Sequence, residues 1–418
     1  MDRTLPLVLD PTGRARAAEE AALHAAGPAT LVDILGVTAW SVSDPAILKG
    51  LLNDPRVSKD ASRHWPAFIS GEITEKWPLA LWVGVDNMFT AYGDNHRRLR
   101  RLVSKAFTAR RTAEMVPRIE QITARLIDQI ARKPAPTQPG EVVDLREALA
   151  FPLPIQVIGD LMGLPEDVWP RFRTVVDGVF DTTLSSEDAR ANTMALYGIL
   201  TELVASKRAT PCEDITSALI DVRDEEGDGS VLTEQELLDT LLLVISAGYE
   251  TTVNLLDQAV TALLTRPDQL AHVREGRASW DDVIEESLRY AAPISHLPLR
   301  YAVEDIPLPD GIVISQGEAI LASYGAAGRH PNLHGATAGA FDVMRDDKQH
   351  LAFGHGAHFC LGAPLARAEA RAALPALFNR FPDMALAVPP EELEPVASLL
   401  VNGHRTVPVR LQPMRRSG

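Results

Sequence analysis

Apolar residues recur every three to four positions over most of this chain. The spacing predicts helices over 95–133, 165–207, 233–265 and 280–291, with a further alanine-rich helix from near Pro364. The stretch TLVDILGVTAWSVSD (30–44) instead alternates apolar and polar residues about Gly36 and predicts a β-hairpin. DPAILKGLLND follows, and its acidic cap and early proline predict a short helix. Between 60 and 93 neither period holds, and a loop is expected there, carrying Trp65, Trp77, Trp82 and Phe89. Proline- and glycine-punctuated runs between 293 and 322, among them PLRYAVEDIPLPDGIVI, predict short strands and turns. RDEEGDGS (223–230) reads as an acidic connector. With no internal repeat and no long linker, the expected architecture is a single domain over 1–418. It is mainly α with a minor β lobe (α+β), β-rich at about 30–60 and 293–325.

Composition narrows the function. The chain carries 41 basic and 56 acidic residues, and a net charge of −15 disfavours broad binding to nucleic acid or an anionic membrane. The amino terminus lacks the charged-then-apolar order of a secretory signal. LLLVIS (241–246), lying between Asp239 and Glu250, is too short to span a bilayer. A soluble cytoplasmic protein is expected, and in that compartment Cys212 and Cys360 argue against a structural disulfide.

The candidate chemistry centres on LAFGHGAHFCLGAPLARAEA (351–370). A lone intracellular cysteine is most often a small buried hydrophobe. Cys360, however, lies between Gly356 and Gly362, which let backbone approach a flat ligand, and a helix follows whose amides and positive end favour thiolate over thiol. Zinc or an iron–sulfur cluster would lack partner cysteines, whereas an axial thiolate to haem iron needs only one. Elsewhere, Glu286 and Arg289 share a helical face at i, i+3, but so do Glu187 and Arg190, so spacing alone does not decide their role. In AGYETT (247–252) a glycine and two threonines interrupt the most apolar helix beside an acid. In NHRRLRRLV, His96 and Arg100 share one face, with Arg97 and Arg101 about 100° away.

FGHGAHFCLG resembles the haem-binding signature of the cytochrome P450 superfamily, Phe-x-x-Gly-x-His/Arg-x-Cys-x-Gly, through Phe353, Gly356, His358, Cys360 and Gly362. The other stretches resemble further motifs of that family in family order. The likeness runs from about residue 30 to the carboxyl terminus and most resembles the soluble bacterial, actinobacterial-type class. It implies a haem between the distal AGxET helix and the proximal cysteine loop and helix. Glu286 and Arg289 then form a structural network with Arg345 of FDVMR. Ala247 lies over the haem, Glu250 imports protons and Thr251 hydrogen-bonds the bound dioxygen. His96, Arg100, Arg300 and His358 hold the haem propionates. Arg97, Arg98 and Arg101 are left as a positive patch for an acidic electron-transfer partner.

The resemblance further implies haem b (iron protoporphyrin IX) with Cys360 as its metal ligand and O2 as co-substrate. Electrons would come from NAD(P)H through a ferredoxin reductase and a ferredoxin. The implied reaction is hydroxylation, or another oxidation, of a hydrophobic small molecule such as a polyketide or macrolide, a steroid or a terpenoid. Phe89, Val179, Phe180, Val244, Ala247, Ile294 and Leu400 are the expected pocket residues. A peroxide-driven peroxygenase and a haem-binding protein without turnover stay open as alternatives.

Overall fold

The longest helix, Glu234–Thr265, begins with a reciprocal cap: the Glu236 amide donates to Thr233 Oγ1 at 3.2 Å, and the Thr233 amide donates to Glu236 Oε2 at 2.8 Å. Most of its residues on every side are buried, so it runs through the interior instead of along the surface. A computed structural model describes residues 5–132, 142–224 and 229–411. The acidic connector at 223–230 lies partly outside them, as do the first residues of the amino terminus. Among the described residues no helix is long and apolar enough to cross a membrane.

Around this rod pack Pro152–Met162, Trp169–Phe180, Ser186–Ala209, Trp280–Tyr290 and Ala363–Arg380. Two expected helices are broken. The 95–133 span divides into Gly93–Ala106 and Ala109–Arg132, because Phe107 leaves the helical region and Thr108 Oγ1 accepts the Arg111 amide, starting a new helix. The 165–207 span divides where Ser185 Oγ accepts the Asp188 amide. Pro152–Met162 was not anticipated, since PLPIQVIGDLM carries two prolines; Pro152 occupies the first turn, where no amide is needed. The 60–93 segment is mostly loop, with single-turn helices at Ala61–His64, Pro66–Ile69 and Leu81–Gly84.

The expected hairpin forms as Ala29–Ile34 against Val37–Val42, with Leu31 opposite Trp40. It belongs to a six-stranded sheet running Leu7–Val8, Ala29–Ile34, Val37–Val42, Ala319–Ala322, Leu297–Ala302, Val57–Ser58. The pairing register shifts between Leu297 and Arg300. In regular alternation residues three apart face opposite sides, but this irregularity lets both side chains reach the same cavity.

Glu286 and Arg289 are fully buried and joined by two bonds of 2.7 Å. Arg289 also donates to the carbonyls of Gly328, Ala338 and Ala340. Arg345 reaches the Thr337 carbonyl at 2.8 Å and lies 3.6 Å from Glu286, so the three expected members of the network do meet. Removing one partner leaves a charge buried and unpaired. Glu286→Ala is expected to lower stability by about 3–5 kcal/mol, read from the urea midpoint of the purified protein.

Candidate functional site

The cysteine loop is held by its own backbone hydrogen bonds. The Cys360 amide donates to the Phe353 carbonyl and the Phe359 amide to the Gly356 carbonyl, both at 3.0 Å. Gly356 has φ +69°, and a Cβ there would come 2.7 Å from the Leu52 carbonyl. That glycine is therefore required by the seat of the loop on the helix Pro45–Asn53, a different reason from the ligand approach expected. Gly362 has ordinary geometry, with room for a Cβ 3.8 Å from Cys360 Sγ. The setting of Cys360 is also more balanced than expected. Burial pushes its thiol up, while the Gly362 and Ala363 amides and the Arg100 and Arg367 guanidiniums pull it down without overcoming burial. A coordinated metal would deprotonate it outright.

Glu285, one residue before Glu286, was not singled out in the sequence. It accepts from Arg367 Nε at 2.6 Å, Arg367 Nη2 at 2.9 Å and His350 Nε2 at 3.1 Å. It thus grips the chain on both sides of Cys360, and Arg367 stacks 4.6 Å from the Phe353 ring centre. Burial pushes the Glu285 carboxyl up, but these hydrogen bonds and charges hold it down at about 2. No spacing rule relates residues 285, 350 and 367; only the fold brings them together.

Between this loop and the middle of the long helix lies a cavity of about 230 Å³, bounded by Phe353, His358 and Cys360 on one side and Ala247, Gly248 and Thr251 on the other. Thr251 Oγ1 donates to the Ala247 carbonyl at 2.6 Å and keeps its lone pairs for the cavity. Gly248 is required by packing, since a Cβ there would lie 2.4 Å from Ile158 Cδ1. The His96 and His358 rings lie with centres 4.1 Å apart and planes tilted by 45°. Burial, then Arg100 and Arg97, lower His96 to about 4, and burial, then His96, Arg300, Lys59 and Arg100, hold His358 well below the usual range. His96 Nε2 and Arg300 Nη1 are buried without a protein partner, and Arg300 Nη2 is only 3.5 Å from the Tyr324 hydroxyl. Arg100 donates to the Phe359 carbonyl at 2.7 Å.

A second cavity of about 120 Å³ shares Phe89, Ala247, Thr251 and Ile294 with the first and adds Trp82, Val179 and Phe180. Val244 lines the first cavity. Leu400 is buried but lines neither. It lies behind the wall, its carbonyl accepting the Ser295 amide at 2.7 Å beside Ile294. Glu250 also turns away from the cavity. Arg146 Nη2 donates to it at 2.8 Å and Asn254 Nδ2 at 3.0 Å, and Arg146 also pairs with Asp257 at 3.0 Å. Burial raises the Glu250 carboxyl more than Arg146 lowers it. The expected basic patch is largely spoken for: Arg98 pairs with Glu236, Arg101 with Asp224 at 2.7 Å, and Arg97 with the exposed Asp94.

The partnerless donors of His96 and Arg300 call for acceptors, and the single sulfur calls for one metal bond. Both demands fit a haem, whose propionates Arg100, Arg300, His96 and His358 would hold and whose iron Cys360 would ligate. Because the Glu285 carboxyl is depressed in the folded protein, the stability it contributes is present above its unfolded value near 4.5 and is lost as pH falls toward about 2. Glu285→Gln is expected to flatten that part of the stability–pH curve and to speed haem loss to apomyoglobin at neutral pH. Unfolding midpoints across pH 2–5 and the transfer rate check it.

Comparison with known proteins bears on the same residues. The Cytochrome P450 family model matches residues 280–400, the span holding Glu286, Arg289 and the cysteine loop. The chain is 44% identical over 410 residues to 2-hydroxy-5-methyl-1-naphthoate 7-hydroxylase of Streptomyces carzinostaticus, covering 97% of this chain and 98% of that protein. It is 37% identical over 400 residues to 6-deoxyerythronolide B hydroxylase of Saccharopolyspora erythraea, covering 94% and 95%. The solved structure of CYP154A1 from Streptomyces coelicolor A3(2) matches with a TM-score of 0.91 at 60% identity, covering 97% of this chain and all of that one. With such identity over nearly its full length to named hydroxylases, the chain belongs to the cytochrome P450 family of haem-thiolate monooxygenases.

Proposed function

We propose that this protein hydroxylates a hydrophobic, fused-ring product of secondary metabolism, with two electrons drawn from NAD(P)H through a ferredoxin reductase and a ferredoxin. The observation that carries the reading is the Thr251 hydroxyl, which lies on the wall shared by the Cys360 cavity and the aromatic cavity. In that second cavity Trp82 meets Phe180 edge-on at 5.3 Å and Phe89 at 6.2 Å, and such flat walls suit fused rings better than a flexible macrolactone. The names of the naphthoate and erythronolide hydroxylases bracket that choice.

The haem, when bound, supplies dioxygen activation and the insertion of one oxygen atom into a C–H bond. The chain supplies the rest. Cys360 would hold the iron through its sulfur, and Arg100, Arg300, His96 and His358 would hold the propionates. The apolar walls exclude water and orient the substrate. Thr251 Oγ1 holds a hydrogen-bonding hydroxyl at the cavity, positioned to pass a proton. Glu250 serves as proton donor from behind it; its carboxyl, raised by burial, must leave the Arg146 fork to do so. Since Arg98 and Arg101 are tied to buried carboxylates, whereas Arg97 pairs only with the exposed Asp94 and has 65% of its side chain exposed, Arg97 is the member of the trio to meet a redox partner.

Thr251→Ala is expected to keep haem and substrate binding but to cut product per NADPH oxidised by about tenfold or more, the electrons leaving as peroxide. Equal coupling in variant and parent would remove the role given to Thr251. Arg97→Ala is expected to raise the KM for reduced ferredoxin several-fold and leave the substrate KM unchanged, as measured by steady-state kinetics with each varied in turn.

A further inference from the structure

Lys59 sits in the wrong place for a surface lysine. It follows the strand Val57–Ser58, is 2% exposed and lines the Cys360 cavity. Its ammonium donates to the Pro298 carbonyl at 3.2 Å and lies 3.6 Å from the centre of the Phe89 ring. Among the described residues no carboxylate pairs with it. The adjacent Asp60 is engaged in capping, accepting from Ser62 Oγ at 2.7 Å and the Arg63 amide at 3.1 Å. Its charged neighbour across the cavity is Arg300, a second cation with a partnerless nitrogen. Burial, then Arg300, push the Lys59 ammonium well below the usual lysine range, so keeping its charge is costly unless an anion joins it.

A haem brings two carboxylates. In the reading above they are matched by two permanent cations, Arg100 and Arg300, with the His96 and His358 rings beside them. Lys59 is then a third basic side chain with no carboxylate partner among the described residues; it lines the Cys360 cavity against Phe89, a residue that also lines the aromatic cavity. We infer that Lys59 anchors a carboxylate on the substrate itself, whose aromatic body fills the space between Phe89, Trp82 and Phe180. The preferred substrate is thus an aryl carboxylate, oriented by its acid group at one end while Thr251 and the cysteine side meet the other parts of its ring system. Phe89 covers one face of the ammonium and leaves the remaining N–H bonds for the ligand.

This inference rests on the haem-thiolate reading, and its test separates the two. The haem-loaded protein and its Lys59→Met variant, which keeps most of the apolar stem and removes the ammonium with its bond to the Pro298 carbonyl, are titrated calorimetrically with 2-naphthoate and with methyl 2-naphthoate. The parent is expected to bind the acid at least about tenfold more tightly than the ester. The variant is expected to lose that preference, with haem content and the carbon monoxide difference spectrum unchanged. An ester bound as tightly as the acid by the parent, or a preference retained in the variant, overturns the proposal. So does a variant that keeps the preference but loses haem faster to apomyoglobin, because Lys59 would then serve a propionate. A parent lacking the haem-thiolate spectrum would instead overturn the family reading, and this inference with it.

Discussion

Two adjacent carboxylates hold the chemistry of this protein in place. Glu286 faces inward, where it pairs with Arg289, accepts the Asp342 amide at 2.7 Å and lies near Arg345, fixing the chain that leads into the cysteine loop. Glu285 faces the loop itself and binds His350 before Cys360 and Arg367 after it. Neighbouring residues of a helix point about 100° apart, so one turn of Trp280–Tyr290 can serve both tasks. The sulfur position is thereby held by multiply bonded ion pairs, that of Glu286 fully buried and costly to break one partner at a time, that of Glu285 part-buried.

The cavity above that loop has the opposite electrostatic character. Its polar wall carries Arg100, Arg300, Lys59 and His358, with His96 against His358, and two atoms of this group, His96 Nε2 and Arg300 Nη1, lack a partner within the protein. Buried polar groups are normally satisfied, so an unsatisfied set clustered at one cavity specifies the ligand by its deficits. Here the deficit is in acceptor oxygens, which a dicarboxylic cofactor and an acidic substrate both provide. The rest of the wall is aliphatic and aromatic and favours a flat apolar body.

The long helix separates two groups that are neighbours in sequence. Thr251 opens to the cavity, and Glu250 is drawn behind it into the fork of Arg146, which Asp257 also holds. The proposed proton delivery from Glu250 to Thr251 would therefore require a side-chain movement out of that fork.

Much of this was legible in the sequence. The helical period, the hairpin about Gly36 and the glycine-flanked Cys360 identify the fold class and the ligand, because local periodicity and backbone freedom are properties of short stretches. The spacing of Glu286 and Arg289 and the order of the motifs carried the rest of the family likeness. Helix ends at Thr108 and Ser185 were missed, since a single capping side chain overrides a periodicity that continues past it. The clamp at Glu285, the withdrawal of Leu400 behind the wall, the pairing of Arg98 and Arg101 and the burial of Lys59 were decided by tertiary structure alone. Each depends on which distant groups the packed chain places within a few ångströms, and Coulomb attraction, desolvation and steric exclusion act on that distance, not on separation along the chain.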